Sequence, residues 1–186
     1  LFEIIREIHP KKIMEIGVWN GDRGVQMINY AQKYSQEKIQ YYGSDLFEEM
    51  NEGMMETELS KFPPTREQVE IRLQKTGADI ELIAGNTLIS LPKLVEKLSI
   101  MDFVFIDGGH AVETIANDWK YVSLLMDEGS VVIFDDYYPD RDDVGAKAVV
   151  EKIDKDIYDV SILDVEDIFK KEDGILRIRF AEVRKK

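Results

Sequence analysis

Short runs rich in Ile, Val, Phe and Tyr alternate along the chain with stretches whose apolar residues recur at spacings of three and four. Strands buried on both faces read as near-continuous apolar runs, and helices packed over them bury one stripe, so the alternation predicts βαβ units around a parallel sheet. The runs predict strands over Lys12–Gly17, Ile39–Asp45, Asp79–Ala84, Met101–Asp107 and Ser130–Asp135. Helices are predicted near Gly24–Tyr34, Leu88–Leu98, Val112–Met126 and Gly145–Lys155. In the third of these Val112, Ile115, Trp119 and Val122 share a face, which marks Trp119 as a core residue. Two more strand-like runs, Tyr158–Leu163 and Ile175–Val183, are joined by the polar stretch Phe169–Gly174. No crossover helix fits between them, so they are expected to pair antiparallel.

One segment breaks the alternation. Residues 46–78 carry Met50, Met54, Met55, Phe62 and the pair Pro63-Pro64. A connection this long is usually functional or disordered. Pro-Pro ends a helix on its N-terminal side, and Thr65-Arg66-Glu67-Gln68 can cap another that runs to Thr76-Gly77. The Met and Phe side chains suit a lid over an apolar substrate pocket, and equally suit packing on the sheet.

With 186 residues and 44% apolar content the chain can bury one sizeable core, so residues 1–186 are read as a single domain with 46–78 as its lid or substrate-facing insertion. It opens at Leu1 in a helix-like apolar stretch, as a domain trimmed from a longer product would. It shows neither a membrane-length apolar run nor an export leader, which points to a soluble, cytoplasmic protein without membrane partners. There is no Cys, which removes disulfides, thiolate metal sites and Cys nucleophiles. A net charge of -13, from 37 acidic and 24 basic residues, argues against nucleic-acid partners, which require a basic surface. Most of these carboxylates are expected on a solvated surface. A homo-oligomer is compatible with all of this.

Open parallel sheets bind ligands outside the carboxyl ends of their strands, at the switch in strand order. Those ends are polar here: Glu15-Ile16-Gly17-Val18-Trp19-Asn20-Gly21, Ser44-Asp45, Gly85-Asn86-Thr87, Asp107-Gly108-Gly109-His110 and Asp135-Asp136. Gly17 and Gly21 allow a sharp turn and a close approach to a ligand. Asp45 is placed to accept hydrogen bonds from both hydroxyls of a ribose. A nicotinamide dinucleotide would meet the same requirements, but its G-x-G-x-x-G fingerprint is broken by Trp19, where the middle glycine admits a pyrophosphate. An acidic Glu15 suits a ligand bearing an ammonium group.

Glu15-x-Gly17-x-x-x-Gly21 with Asp45 resembles the first motif and the ribose-binding acid of class I S-adenosylmethionine-dependent methyltransferases, and the likeness spans nearly the whole chain. It implies a three-layer, Rossmann-like α/β fold with a seven-stranded, mostly parallel sheet and an antiparallel C-terminal hairpin. It further implies Glu15, Gly17 and Gly21 around the methionine part of S-adenosylmethionine, Asp45 at the ribose, and Asn86 at the adenine edge, with Asp107 completing the set.

Asp107, Asp135 and Asp136 would converge from neighbouring strands, and like charges packed so closely need a cation. Oxygen ligands favour Mg²⁺, Mn²⁺ or Ca²⁺, and the lack of Cys and of a His pair disfavours zinc. The set resembles metal-dependent O-methyltransferases of the catechol type and of the type acting on natural-product sugars, closer to the latter because Asp136 stands where the catechol type commonly has Asn. A metal would lower the pKa of a hydroxyl on a small acceptor and hold its oxygen. His110, three residues past Asp107, falls at the position of the base in these families and titrates near neutrality. Helix capping is the plainer role for His110 and for the aspartates. Tyr137 and Tyr138 could border the acceptor pocket, and His9 is expected at the surface. A dinucleotide-dependent oxidoreductase and a non-catalytic module with this fold are the competing readings.

Overall fold

The computed structural model describes residues 1–171 and 174–186. Helix α1 (Phe2–Ile8) leads into β1 (Lys12–Ile16), α2 (Asp22–Ala31) and β2 (Gln40–Asp45). A 3-10 turn (Phe47–Glu49), α3 (Glu52–Thr57) and α4 (Arg66–Gln74) precede β3 (Asp79–Ala84) and α5 (Thr87–Leu94). Then come β4 (Phe103–Ile106), α6 (Val112–Val122), β5 (Val131–Tyr137), α7 (Lys147–Val150), β6 (Tyr158–Lys171) and β7 (Gly174–Lys185).

The strands form one seven-stranded sheet in the order β3-β2-β1-β4-β5-β7-β6. The first five are parallel, while β7 runs antiparallel to both β5 and β6. Strand β1 alternates its side chains between two cores. Met14 and Ile16 join Val104, Ile106, Val132 and Phe134 under α5 and α6, whose Leu91, Ile115 and Val122 close that layer. Ile13 joins Phe103, Phe105 and Ile133 under α1, α2 and α4, represented by Ile5, Met27, Ile28, Val69 and Leu73. The three-layer, mostly parallel architecture with an antiparallel end is therefore as expected. Trp119 lies where its helical spacing put it, tilted on Phe134 and edge-on to Tyr158. Helix α4 begins at a capping box of Thr65 and Gln68, in line with its sequence.

Two expectations need correction. The helix anticipated over 145–155 contracts to the single turn Lys147–Val150, because Val149, Val150 and Ile153 already reach the core from that turn and the bends after it. The C-terminal strands are also much longer than their apolar runs. Residues read as connecting polar sequence continue the β6–β7 ladder past a register shift between Ile162 and Glu166; residues 172–173 of that stretch lie outside the described ones. Val165, Ile168 and Phe169 stay exposed there, so this part of the ribbon buries neither face and leaves no alternation to read. Glu166 instead pairs across it with Arg177 and Arg179.

The chain leaves β3 on one side of β1 and re-enters through β4 on the other, so the switch in strand order lies between β1 and β4. Gly17 closes that junction. Its amide donates to the Ser44 carbonyl at 2.8 Å, and the Asp107 amide donates to the Ile16 carbonyl at 2.8 Å. At φ +89° a Cβ on Gly17 would stand 1.9 Å from the Asp107 carbonyl oxygen. The neighbour is backbone, so it cannot swing aside. Gly17→Ala should therefore cost more than ~4 kcal/mol, a size reserved for such collisions. Urea denaturation checks this against Gly53→Ala, whose Cβ would meet only Asn51 Oδ1 at 3.5 Å and should leave stability nearly unchanged.

Candidate active site

The strand ends at the switch open into a cleft of two adjoining lobes. One, of about 700 Å³, is lined by Asp45, Asn86, Asp107, Thr114 and Asp118 together with Met50, Met54 and Glu58 of the segment after β2. The other, of about 980 Å³, is lined by Glu15, Asn20, Arg23, Asp107 and His110. Gly17, Trp19 and Lys61 border both. The structure thus brings Glu15, Gly17, Asp45, Asn86, Asp107 and His110 to one opening. Gly21 stays out of it: at φ +79° it starts α2 with its α-carbon side against Val69 and Leu73 of α4.

Glu15 ends up fully buried beneath α2. Its Oε2 accepts a hydrogen bond from the Tyr41 hydroxyl, and its Oε1 has no partner. Gly24 makes the arrangement possible, since a Cβ there would sit 2.6 Å from Tyr41 Oη and 2.9 Å from Glu15 Oε2. Burial pushes the Glu15 carboxyl up to about 8, against the Tyr41 hydrogen bond and the Arg23 charge. An orphaned carboxylate oxygen lining a cleft is a fitting partner for an ammonium group. Asp45 accepts from the Trp19 amide at 2.6 Å and from the Phe47 amide at 3.3 Å, which fixes its carboxylate at the end of β2. Asn86 commits its Oδ1 to capping α5, taking the Leu88 amide at 2.9 Å. Trp19 holds φ +46°, is 46% exposed, and stacks its ring against the Lys61 ammonium.

The three aspartates do not assemble as expected. Asp136 adopts φ +53°, an uncommon backbone for a non-glycine residue. Its Oδ2 lies 2.7 Å from His110 Nε2, and its Oδ1 accepts from the Tyr138 hydroxyl at 2.7 Å. Both oxygens are committed. Asp135 Oδ1 in turn takes the Asp136 amide at 2.7 Å. Among the described residues no group of three or more His, Asp or Glu side chains is arranged to hold a metal ion. Burial and the charges of Asp135 and Asp136 push Asp107 well above the usual carboxylate range, while burial and Asp136 push Asp135 to about 6. What remains is a pair, Asp107 and Asp135, with repulsion to relieve. That pair does not make the three-carboxylate cage that was expected.

His110 is held from both sides. Nδ1 faces the Glu58 carbonyl at 2.7 Å while Nε2 faces Asp136. Acceptors on both sides favour the ring with a proton on each nitrogen. Burial alone would lower its pKa, but the Asp136 hydrogen bond and charge raise it; Asp136, which burial would raise, is held low by His110 and Tyr138.

Glu58 is a site residue that sequence reasoning passed over. Its carboxylate accepts from the Ala111 amide at 3.1 Å and the Thr114 hydroxyl at 2.6 Å, at the start of α6. Negative charge is favoured at a helix N-terminus. Gly109 leaves the room: a Cβ there would meet Glu58 Oε2 at 2.1 Å. No spacing rule links a glutamate to a helix some fifty residues further along. Asp118 was missed as well, although it had a signal: it stands three residues after Ile115 and four before Val122, an acid on an apolar face.

A sequence family described as a methyltransferase domain matches residues 14–137, from β1 through β5. This chain belongs to that family. The resemblance to class I S-adenosylmethionine-dependent methyltransferases is thereby borne out. Solved structures share the methyltransferase's fold at low sequence identity. Cofactor-bound Rv0187 from MTB superposes with a TM-score of 0.67 at 18% identity, covering 98% of this chain and 76% of that one. The O-methyltransferase TomG from Streptomyces achromogenes, in complex with SAM, gives 0.65 at 17%, covering 99% and 77%. The O-methyltransferase from Bacillus cereus, in complex with SAH, gives 0.59 at 14%, covering 99% and 78%. No curated protein matches the sequence. No helix among the described residues is long and apolar enough to cross a membrane.

The buried Glu15 makes the ligand-free methyltransferase pH-sensitive. Its carboxyl ordinarily titrates at 4.5 and here at about 8, so across that window the unfolded chain gives up the proton first and the fold loses stability as pH rises. Melting curves from pH 5 to pH 9 should show the wild type falling progressively behind Glu15→Gln, which has no proton to lose. A constant gap between the two would mean that Glu15 is not held protonated.

Proposed function

We propose that this methyltransferase moves the methyl group of S-adenosylmethionine to a hydroxyl oxygen of a small molecule. The observation that carries the reading is the His110 ring, bordered by Asp136 and the Glu58 carbonyl, at the edge of a lobe that also holds the orphaned Glu15 oxygen. S-adenosylmethionine, when bound, supplies a methyl group made electrophilic by its sulfonium. Glu15 Oε1 takes the ammonium of the methionine part, Asp45 accepts from the ribose hydroxyls, and Asn86 meets the adenine edge. The segment from Leu46 through Pro63 acts as a lid over the first lobe, with Met50 and Met54 on its inner side.

His110 is the general base. A ring that donates Nδ1–H to the Glu58 carbonyl is fixed in the tautomer that leaves Nε2 basic. When Nε2 takes the acceptor's proton, Asp136, 2.7 Å away, stabilises the resulting imidazolium. Asp107 and Asp135 would hold a divalent ion such as Mg²⁺, which would polarise the acceptor hydroxyl. A net charge of -13 disfavours a nucleic-acid acceptor and supports a small hydroxylated one.

Titration calorimetry should detect S-adenosylmethionine and S-adenosylhomocysteine and no NAD⁺; binding of NAD⁺ alone would overturn the proposal in favour of an oxidoreductase. Against a panel of vicinal diols, His110→Asn should lower kcat by ~10² or more while leaving the KM for S-adenosylmethionine within a few-fold. Asp45→Ala should do the opposite. Asp135→Asn should abolish any stimulation by added Mg²⁺, and wild-type turnover that is indifferent to both Mg²⁺ and EDTA would remove the metal from the reaction.

A further inference from the structure

Strand β6 ends the sheet, and among the described residues no strand lies on its outer side. The β5–β7 ladder stops where Tyr137 meets Arg179, so past that point the β6–β7 ribbon continues as two strands alone, projecting from the cleft end of the sheet. A two-stranded ribbon in water is marginally stable at best. Its free edge also presents unpaired N–H and C=O groups, which recruit another strand unless charges, bulges or a cover blunt them. Here a register shift between Ile162 and Glu166 interrupts the edge once and leaves residues 166–170 in regular pairing beyond it.

The register fixes what each face of this segment carries. Glu166, Ile168 and Lys170 share one face with their opposites Arg179, Arg177 and Ile175. Asp167 and Phe169 share the other with Ile178 and Leu176. Ile168 is 57% exposed, Phe169 49% and Ile175 59%, so an unpaired edge and a cluster of exposed apolar side chains coincide. The charges are ordered too: Glu166 and Asp167 precede Lys170. A second strand of the same sequence laid antiparallel sets acid against base, whereas one laid parallel and in step sets like against like.

We propose that residues 166–170 of β6 join two copies of this chain edge to edge, antiparallel, across a two-fold axis at Ile168. The axis stands perpendicular to the sheet, so directly opposed residues share a face. Ile168 lies opposite Ile168 of the second copy, and on either side Glu166 lies opposite Lys170. Glu166 is already held on that face by Arg177 and Arg179. An axis at Asp167 would set that acid against itself, and one at Phe169 would set Ile168 against Lys170. The join turns two ribbons of two strands into one of four, with Phe169, Leu176 and Ile178 of both copies on one face. Because a two-fold interface is self-complementary, it closes at two copies and consumes the edge instead of propagating it.

Sedimentation across the micromolar range should give the mass of two copies. Ile168→Lys, which puts two ammonium groups on the axis, should give the mass of one. Lys170→Glu sets acid against acid and should raise the dissociation constant about tenfold or more. Melting curves show whether both variants fold. The chain has no Cys, so a single introduced cysteine reports the register without background. Directly opposed residues have Cα atoms about 4.5–5.5 Å apart, within reach of a disulfide. Ile168→Cys should therefore oxidise to a linked pair, and Ser161→Cys, exposed on the same strand before the register shift, should not. A monomeric wild type, a dimer that survives Ile168→Lys, or linkage as ready through Ser161→Cys as through Ile168→Cys would overturn the proposal.

Discussion

Contact between Gly17 and the Asp107 carbonyl is the constraint on which the cleft depends. It lets the backbone at the end of β1 turn directly against the end of β4, where any side chain would collide. Because the ladder hydrogen bonds Gly17–Ser44 and Asp107–Ile16 run to either side of that turn, β2, β1 and β4 end in register. Asp45, Glu15 and Asp107 are thereby delivered to one opening. A larger residue would force the strands apart and scatter all three.

The sheet itself was legible because its central strands are buried on both faces, and a continuous apolar run such as Phe103–Ile106 is what a strand covered on both sides requires. The strand-end acids were legible for a related reason: the sheet's polarity decides which end carries ligands. What lay beyond reading was the direction in which each acid points. Asp136 has a left-handed backbone, and His110 and Tyr138 claim its two oxygens. Glu58 was hidden because its partners belong to α6, far along the chain. The long β6–β7 ribbon was hidden because a strand that buries nothing has no pattern to display. Asp118, by contrast, was written plainly into the helical spacing of α6, and only the habit of sorting charges onto the surface obscured it.

Glu15, Asp107, Asp118 and Asp135 share a condition. Burial raises the pKa of each, so a ligand-free cleft keeps protons that a cationic ligand can displace. A nucleoside carrying a sulfonium and an ammonium suits such a setting. Charge complementarity of this kind is stronger inside the cleft than in the solvent-exposed ion pairs elsewhere on the molecule, because the low dielectric strengthens each interaction.

The two roles of Glu58 have a kinetic consequence. Its side chain fastens the segment after β2 to α6, and its carbonyl receives Nδ1 of His110. On the proposed reading, a motion of that segment that carries Glu58 with it also removes the group that orients the imidazole. On the proposed reading the enzyme is interlocked: an open cleft has no aligned base, so deprotonation is confined to the interval in which bulk water is shut out.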